Sequence, residues 1–139
     1  YDYGIYLRHG GAWGQTAIQN NMIRFETGGT YAGTAYGIEL DTNAASQVAL
    51  VTGNNIRSDR TSGNITLLSI IDSRALVANN VLHVNDANNA GTTNCISATG
   101  TVDATLIVAN NVWDQAPSTL GTATVPAYDA AAASNWVIA

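Results

Sequence analysis

The chain repeats one short phrase four times. The copies read AIQNNMI at 17–23, LVTGNNI at 50–56, LVANNVL at 76–82 and LIVANNVW at 106–113. Each copy places an apolar residue three positions before an asparagine and a second apolar residue two positions after it. This repeat constrains the fold more than any other feature, because a unit of about 30 residues cannot bury its own apolar face and must stack on its neighbours.

A second phrase accompanies the first. It reads GIYL from Gly4, GIEL from Gly37, GNITL from Gly63 and NCIS from Asn94, so its copies are 33, 26 and 31 residues apart. The asparagines of the first phrase keep the same three steps; they are Asn21, Asn54, Asn80 and Asn111. We therefore predict that the seventeen residues from the start of the second phrase to the asparagine are constant. The third unit shows a slip of one residue, and all length variation falls after the asparagine.

Both phrases have the pattern of strands. Apolar residues alternate with polar ones, β-branched residues are enriched, and Gly, Asn, Asp and Ser bound each run. Stacked units bring equivalent residues to the strand separation of roughly 4.8 Å, at which identical asparagine side chains hydrogen-bond to one another. The sequence therefore predicts an all-β solenoid with an asparagine ladder at an inside corner.

The repeated phrase resembles the I-x-x-N-x-I pattern of the right-handed parallel β-helix, the pectin-lyase-like family. The resemblance covers residues 4 to about 113 and implies one domain, 1–139, of about four to five coils that is a segment of a longer protein. Members of this family include polysaccharide lyases, glycoside hydrolases, bacteriophage tailspikes and adhesins. The resemblance thus implies a tailspike-like segment, extracellular or on a virion, but it does not imply one activity.

Composition excludes several partners. Charged residues form 11% of the chain, the net charge is -5, and the basic residues are five arginines, so a nucleic acid is excluded as a partner. No apolar run approaches the roughly 20 residues that cross a bilayer, which argues against a membrane partner. Cys95 is the single cysteine, and no metal-ligand spacing is present, so we predict neither a metal nor another cofactor.

The intervals after the asparagines predict a ligand-binding cleft. From each asparagine to the next second phrase there are 16, 9, 14 and 7 residues, the last measured to Ser118. Two long loops that flank a short one stand two strand spacings apart in a stack, about 10 Å, which is enough for a sugar ring. Aromatic rings and hydrogen-bonding groups at these loops would suit a polysaccharide or glycan receptor. The predicted ligand-binding residues are Tyr31, Tyr36, Arg57, Asp59, Arg60, Asn85 and Asp86. Under the alternative interpretation, the arginines and Asp59 form an ion-pair cluster.

Catalytic activity is left open by the sequence. A glycosidase needs two carboxyl groups about 5 to 9.5 Å apart. The candidates are Glu39 with Asp41, which share one strand face, and Asp59 with either Asp86 or Glu26. If Ile5 and Ile38 are equivalent, however, Arg8 lies beside Asp41 and pairs with it. An enzyme of this kind would be a polysaccharide hydrolase or lyase.

Two functions remain in competition. The first is an extracellular or virion β-helix that binds a polysaccharide and depolymerises it if it is an enzyme. The alternative is a structural shaft or assembly subunit of a tail fibre, adhesin or extracellular filament without catalytic activity. Both ends of the chain read as strands without caps, so we expect a homo-oligomer such as a trimer, or flanking domains, to cover them.

Overall fold

The computed structural model describes residues 2–8, 15–26, 33–41, 48–60, 62–71, 73–84, 93–99, 106–115, 128–129 and 136–138. These residues form fourteen strands and no helix. The strands are β1 (Asp2–Arg8), β2 (Thr16–Gln19), β3 (Met22–Phe25), β4 (Thr34–Asp41), β5 (Val48–Thr52), β6 (Asn55–Ser58), β7 (Asn64–Ile71), β8 (Arg74–Ala78), β9 (Val81–Val84), β10 (Thr93–Thr99), β11 (Leu106–Ala109), β12 (Val112–Gln115), β13 (Tyr128–Asp129) and β14 (Trp136–Ile138).

Each sheet takes every third strand of the chain. The first sheet has the order β1-β4-β7-β10-β13, the second β14-β11-β8-β5-β2 and the third β12-β9-β6-β3. All pairs described are parallel. Parallel neighbours require a crossover, and here the strands of the other two sheets provide it. The predicted all-β class is confirmed, and the arrangement is consistent with a β-helix-like solenoid.

The second and third sheets keep the register that the repeat predicts. In the second sheet Ile18 pairs with Val51, Val51 with Val77 and Val77 with Val108. The third sheet advances by the same numbers of residues, from Met22 to Asn55 and onward. The spacing of the first phrase is therefore confirmed in two of the three sheets.

The first sheet departs from the predicted register. Ile38 pairs with Leu68, and Leu68 with Ile96, so the steps from Ile5 onward are 33, 30 and 28 residues. The predicted equivalence of Gly63 with Gly37 is wrong by four residues, because Leu67 occupies the position next to Gly37. The cause lies in β7, whose run from Ile65 to Ile70 is buried throughout and is compatible with several registers.

The connections into the first sheet also differ from prediction in one place. They span residues 26–33, 59–63, 85–92 and 116–127. The first three keep the predicted order of long, short and long. In the fourth unit Ile96 pairs with Tyr128, so the predicted equivalence of Asn94 with Ser118, a position outside the described residues, is wrong.

One apolar cluster joins all three sheets. Its fully buried members include Ile38 and Leu68 from the first sheet, Val51 from the second and Ile56 and Leu82 from the third. Polar groups that enter such an interior must be hydrogen-bonded, since an unpaired one costs several kcal/mol, on the order of 1–3. The asparagines at the corner of the second and third sheets meet this requirement.

These asparagines, called the ladder asparagines below, form a chain of side-chain hydrogen bonds. Asn21 Nδ2 donates to Asn54 Oδ1 at 3.0 Å, Asn54 to Asn80 at 2.9 Å and Asn80 to Asn111 at 2.9 Å. Each accepting Oδ1 also accepts a hydrogen bond from the backbone N–H of the same asparagine whose Nδ2 donates to it. Asn54 and Asn80 are completely buried, at 1% and 0% exposure. The predicted asparagine hydrogen bonds are therefore present at four positions.

The residue before each ladder asparagine has a left-handed backbone. The φ angles are 58° at Asn20, 68° at Gly53, 56° at Asn79 and 52° at Asn110. Glycine and asparagine adopt this conformation more readily than other residues. In each Asn-Asn or Gly-Asn pair, the first residue therefore turns the chain and the second forms the ladder hydrogen bonds.

Candidate functional site

Four of the seven predicted ligand-binding residues lie in the described part of the chain: Tyr36, Arg57, Asp59 and Arg60. Tyr31, Asn85 and Asp86 lie outside the described residues, as does the catalytic role predicted for Asp86. The four described residues divide between two places. Tyr36 lies on the first sheet, and the other three surround the end of β6.

Asp59 is the centre of a compact ion-pair cluster. Its carboxylate accepts hydrogen bonds from Arg57 Nε at 2.9 Å and from Arg24 Nε at 3.1 Å, and the Nη2 atoms of both arginines lie within 3.1 Å. Arg24 and Arg57 are register partners in the third sheet, so their side chains reach the carboxylate from adjacent strands. The sequence left two roles for these residues, ligand binding and an ion-pair cluster, and their geometry is that of an ion-pair cluster.

The cluster keeps Asp59 ionised. The hydrogen bonds from Arg57 are the largest influence and hold the pKa of Asp59 below its ordinary value, while burial acts in the opposite direction and Arg24 adds to the lowering. A carboxylate in this state has no proton to donate near neutral pH. Its contacts link two strands of the third sheet to the chain that leaves β6.

Arg60 extends the same cluster toward the first sheet. It is buried at 5% exposure and forms an ion pair with Asp2 of β1. Its guanidinium lies 5.4 Å from the ring centroid of Phe25, a distance typical of a cation–π contact. These contacts join the β6–β7 connection to both neighbouring sheets.

A groove of about 340 Å³ lies on the outer face of the first sheet. Serine and threonine form four of its eight lining residues, and two asparagines, Tyr36 and Ile71 complete the lining. The hydroxyl-bearing residues are Thr34, Thr66, Ser69 and Ser97, and the asparagines are Asn64 and Asn94. We call this the first-sheet groove.

Strand register arranges these side chains in rows. Tyr36 pairs with Thr66 and Thr66 with Asn94, so one row runs across β4, β7 and β10. A second row contains Ser69 and Ser97, which are also register partners. Because stacked parallel strands bring partners within about 5 Å, each row presents closely spaced hydrogen-bonding groups along the groove.

Three tyrosines adjoin the groove. The ring centroids of Tyr3 and Tyr36 are 5.3 Å apart with an interplanar angle of 13°, and those of Tyr3 and Tyr6 are 4.7 Å apart at 23°. Tyr3 and Tyr6 are 38% and 45% exposed. The sequence predicts that Tyr36 lies in a loop, whereas it lies in β4 and extends this aromatic stack into the groove. Its 33-residue separation from Tyr3 was the available signal.

Glu39 and Asp41 lie beside the groove on β4. Glu39 is 6% exposed, shares a row with Tyr6 and Ser69, and accepts a hydrogen bond from Ser69. Burial raises the pKa of Glu39 above its ordinary value; the Ser69 hydrogen bond opposes this rise and the charge of Asp41 adds to it. Raised carboxyl pKa values are typical of general acids. The catalytic assignment of these two residues stays a prediction.

Asp41 has the partner that the sequence predicts. Arg8 Nε lies 3.5 Å from Asp41 Oδ2, and the two residues are register partners in β1 and β4. The Arg8 side chain is 73% exposed, so this is a solvated pair. The predicted Arg8–Asp41 pair is confirmed.

Comparisons with protein-family models, with curated proteins and with solved structures find no match to this chain. The class that fold and groove define is therefore an all-β protein of stacked parallel strands with a polar surface groove. Across the described ranges, no three of the His, Cys, Asp and Glu side chains are grouped to hold a metal ion. No helix in those ranges is long and apolar enough to cross a membrane.

Proposed function

We propose that this protein binds a polysaccharide or glycan at the first-sheet groove. The observation that carries the proposal is the continuity of a hydroxyl- and amide-lined groove of about 340 Å³ with the stack of Tyr3, Tyr6 and Tyr36. A volume of this size falls within the range of small-molecule sites. The proposed site lies on the outer face of the first sheet.

The chemistry of a sugar ring matches both parts of this surface. The C–H faces of a pyranose are apolar and stack on aromatic rings, and its hydroxyls need donors and acceptors at short intervals. Tyr36 supplies a ring, and Thr66, Ser69, Asn94 and Ser97 supply the hydrogen-bonding groups. An oligosaccharide lying across the strands would contact successive members of each row.

We also propose the finer architecture, a right-handed parallel β-helix of about four to five coils with a pectin-lyase-like, tailspike-like character. The cycle through three sheets and the ladder asparagines support it. The right-handed sense follows from the strong preference of parallel crossovers for that hand. An extracellular or virion location and an oligomeric or flanked state belong to the same proposal.

Cleavage of the bound glycan would depend on Glu39 and Asp41. Of the candidate carboxyls, Asp59 is committed to Arg24 and Arg57, whereas Glu39 borders the groove with a raised pKa. Asp41 lies two residues further along β4 and pairs with the exposed Arg8. A polysaccharide hydrolase or lyase acting here would have Glu39 and Asp41 as its two carboxyl groups.

A structural or assembly role is the second candidate, and one observation favours it. The outer face of the third sheet carries the register row Met22, Asn55, Val81 and Val112. Its three apolar members are Met22, Val81 and Val112. Their exposures are 84%, 38% and 57%. Exposed apolar rows of this kind are used in contacts between subunits. A shaft or filament subunit would bury this row against a neighbour.

The experiment that tests glycan binding is an array screen of the full chain with two variants. We expect Tyr36→Ala to abolish binding to the array hits, because it removes the ring that joins stack and groove. Met22→Ala, on the third sheet, is the matched control and should bind normally. Hits should then be incubated with the protein and examined for shortened or unsaturated products.

Two results would overturn the proposal. One is a well-folded wild-type protein that binds no glycan on the array. The other is a Tyr36→Ala variant that retains full binding. In either case the assembly role becomes the better explanation, and sedimentation of wild type against Met22→Ser would test it.

A further inference from the structure

The charges around the first-sheet groove indicate which glycans it accepts. The chain has five arginines and no lysine, and all five arginines lie in the described part of the chain. Their distribution therefore decides where an anionic ligand can find a fixed cation. They are Arg8, Arg24, Arg57, Arg60 and Arg74.

Four of the five arginines stand away from the groove. Arg24 and Arg57 belong to the third sheet and share Asp59, at 3.1 and 2.8 Å. Arg60 is buried and paired with Asp2, and Arg74 begins β8 in the second sheet. None of these residues is among those that line the first-sheet groove.

The remaining arginine, Arg8, is paired with a carboxylate and is not among the residues that line the groove. It is on β1, and its Nε is 3.5 Å from the carboxylate of Asp41. The other charged residue on this face of β4 is Glu39, which is buried and held by Ser69, a residue of the groove lining. Within the described part of the chain, the charge that borders the groove lining is therefore negative.

We propose that the first-sheet groove selects neutral glycans and rejects those that carry carboxylate or sulfate groups, with Glu39 as the specificity-determining residue. An anionic group placed along the rows would meet a like charge at Glu39, and no arginine lines the groove to compensate it. Neutral hydroxyls meet the Ser, Thr and Asn rows without this repulsion. This inference rests on the proposed function, because it concerns the same groove.

The test is an array in which each neutral gluco-, galacto- and manno-oligosaccharide is printed beside its counterpart oxidised at C6 to the carboxylate. At pH 7 and low salt we expect the neutral member of each bound pair to bind about tenfold more tightly. Glu39→Gln, which preserves the side-chain shape, should reduce this ratio to about two. Glu26→Gln is the matched control, because the Glu26 side chain is 76% exposed and lies outside the first sheet.

Each outcome separates this inference from the proposed function. Equal or stronger binding of the carboxylated members overturns the inference and leaves glycan binding intact. An unchanged ratio in a folded Glu39→Gln variant overturns the assignment of Glu39. Absence of binding to every neutral and carboxylated probe overturns the proposed function itself.

Discussion

The corner between the second and third sheets follows the spacing of the sequence repeat, whereas the first sheet departs from it. At the corner, the steps between the ladder asparagines are 33, 26 and 31 residues, and both adjoining sheets follow them. In the first sheet the steps from Ile5 are 33, 30 and 28. The second and third sheets thus advance together by the same numbers of residues, and the first sheet advances by different numbers.

The difference follows from what stabilises each region. Each buried ladder amide has donors and acceptors in fixed directions, and a shift by one residue would leave them unpaired in an apolar interior. The first sheet is held inside by aliphatic side chains such as Leu40 and Ile70, which pack without directional demands. The region without the ladder is also the one whose outer face has the groove.

Breaking the ladder should produce the largest effect. Asn80→Ala removes the bonds from Nδ2 to Asn111 Oδ1 and to the Val51 carbonyl, and it leaves Asn54 without its acceptor. We expect the free energy of unfolding to fall by roughly 3 to 5 kcal/mol. Urea unfolding followed by circular dichroism measures it.

Asn55→Ala is the matched control for this prediction. Asn55 is an exposed asparagine in β6, the neighbour of β9 in the third sheet. Its replacement should change the unfolding free energy by less than about 0.5 kcal/mol. Equal losses in the two variants would show that the ladder has no special contribution.

Crowding the first sheet should have the next largest effect. A Cβ at Gly37 would lie 2.5 Å from the Leu67 carbonyl oxygen and 2.6 Å from Ile56 Cγ2. Because a backbone atom must move, we expect Gly37→Ala to cost about 2 kcal/mol in urea unfolding. A variant as stable as wild type would mean that the backbone of the first sheet can shift to fit the added Cβ at little cost in free energy.

The left-handed turn residues should show a smaller effect. Asn79 has a φ of 56°, so Asn79→Ala should cost about 1 kcal/mol, while Asn79→Gly should be nearly neutral. Thermal unfolding of the two variants side by side gives the comparison. If glycine is as damaging as alanine, the side chain of Asn79 matters and its backbone conformation does not.

The smallest effect concerns pH and the first sheet. Because burial raises the pKa of Glu39, its ionised form destabilises the fold above that pKa, and the penalty disappears as the pH falls toward the ordinary carboxyl range. Glu39→Gln should therefore be more stable than wild type at pH 7, by no more than about 1 kcal/mol, and equal to it near pH 4. Melting temperatures from pH 4 to 7 test this.

Asp59→Asn provides the opposite pH dependence as a control. The pKa of Asp59 is lowered, so its ionised form stabilises the fold above the ordinary carboxyl pKa, and this contribution is lost only as the pH falls through the lowered value. The variant should be less stable than wild type at pH 7 and should approach it below about pH 4. Parallel profiles for Glu39→Gln and Asp59→Asn would contradict both assignments.

The candidate site was only partly predictable from the chain. The sequence predicts Tyr36 as a ligand residue but does not predict the groove around it, because single serines and threonines in strands have no distinctive pattern. Thr66, Ser69 and Ser97 form a polar surface only after the strands stack in the observed register. Arg57, Asp59 and Arg60 were identified with two possible roles, and their geometry is that of an ion-pair cluster.

The sequence by itself determined the all-β class, the ladder asparagines and the register of two sheets. It did so because a directional hydrogen bond requires the same residue at the same place in each unit, and such a requirement is visible as a repeat. Only the tertiary structure decided the register of the first sheet, and with it the position of the groove. Apolar contacts accept many partners, so the run of β7 was compatible with several alignments until packing against β4 and β10 selected one.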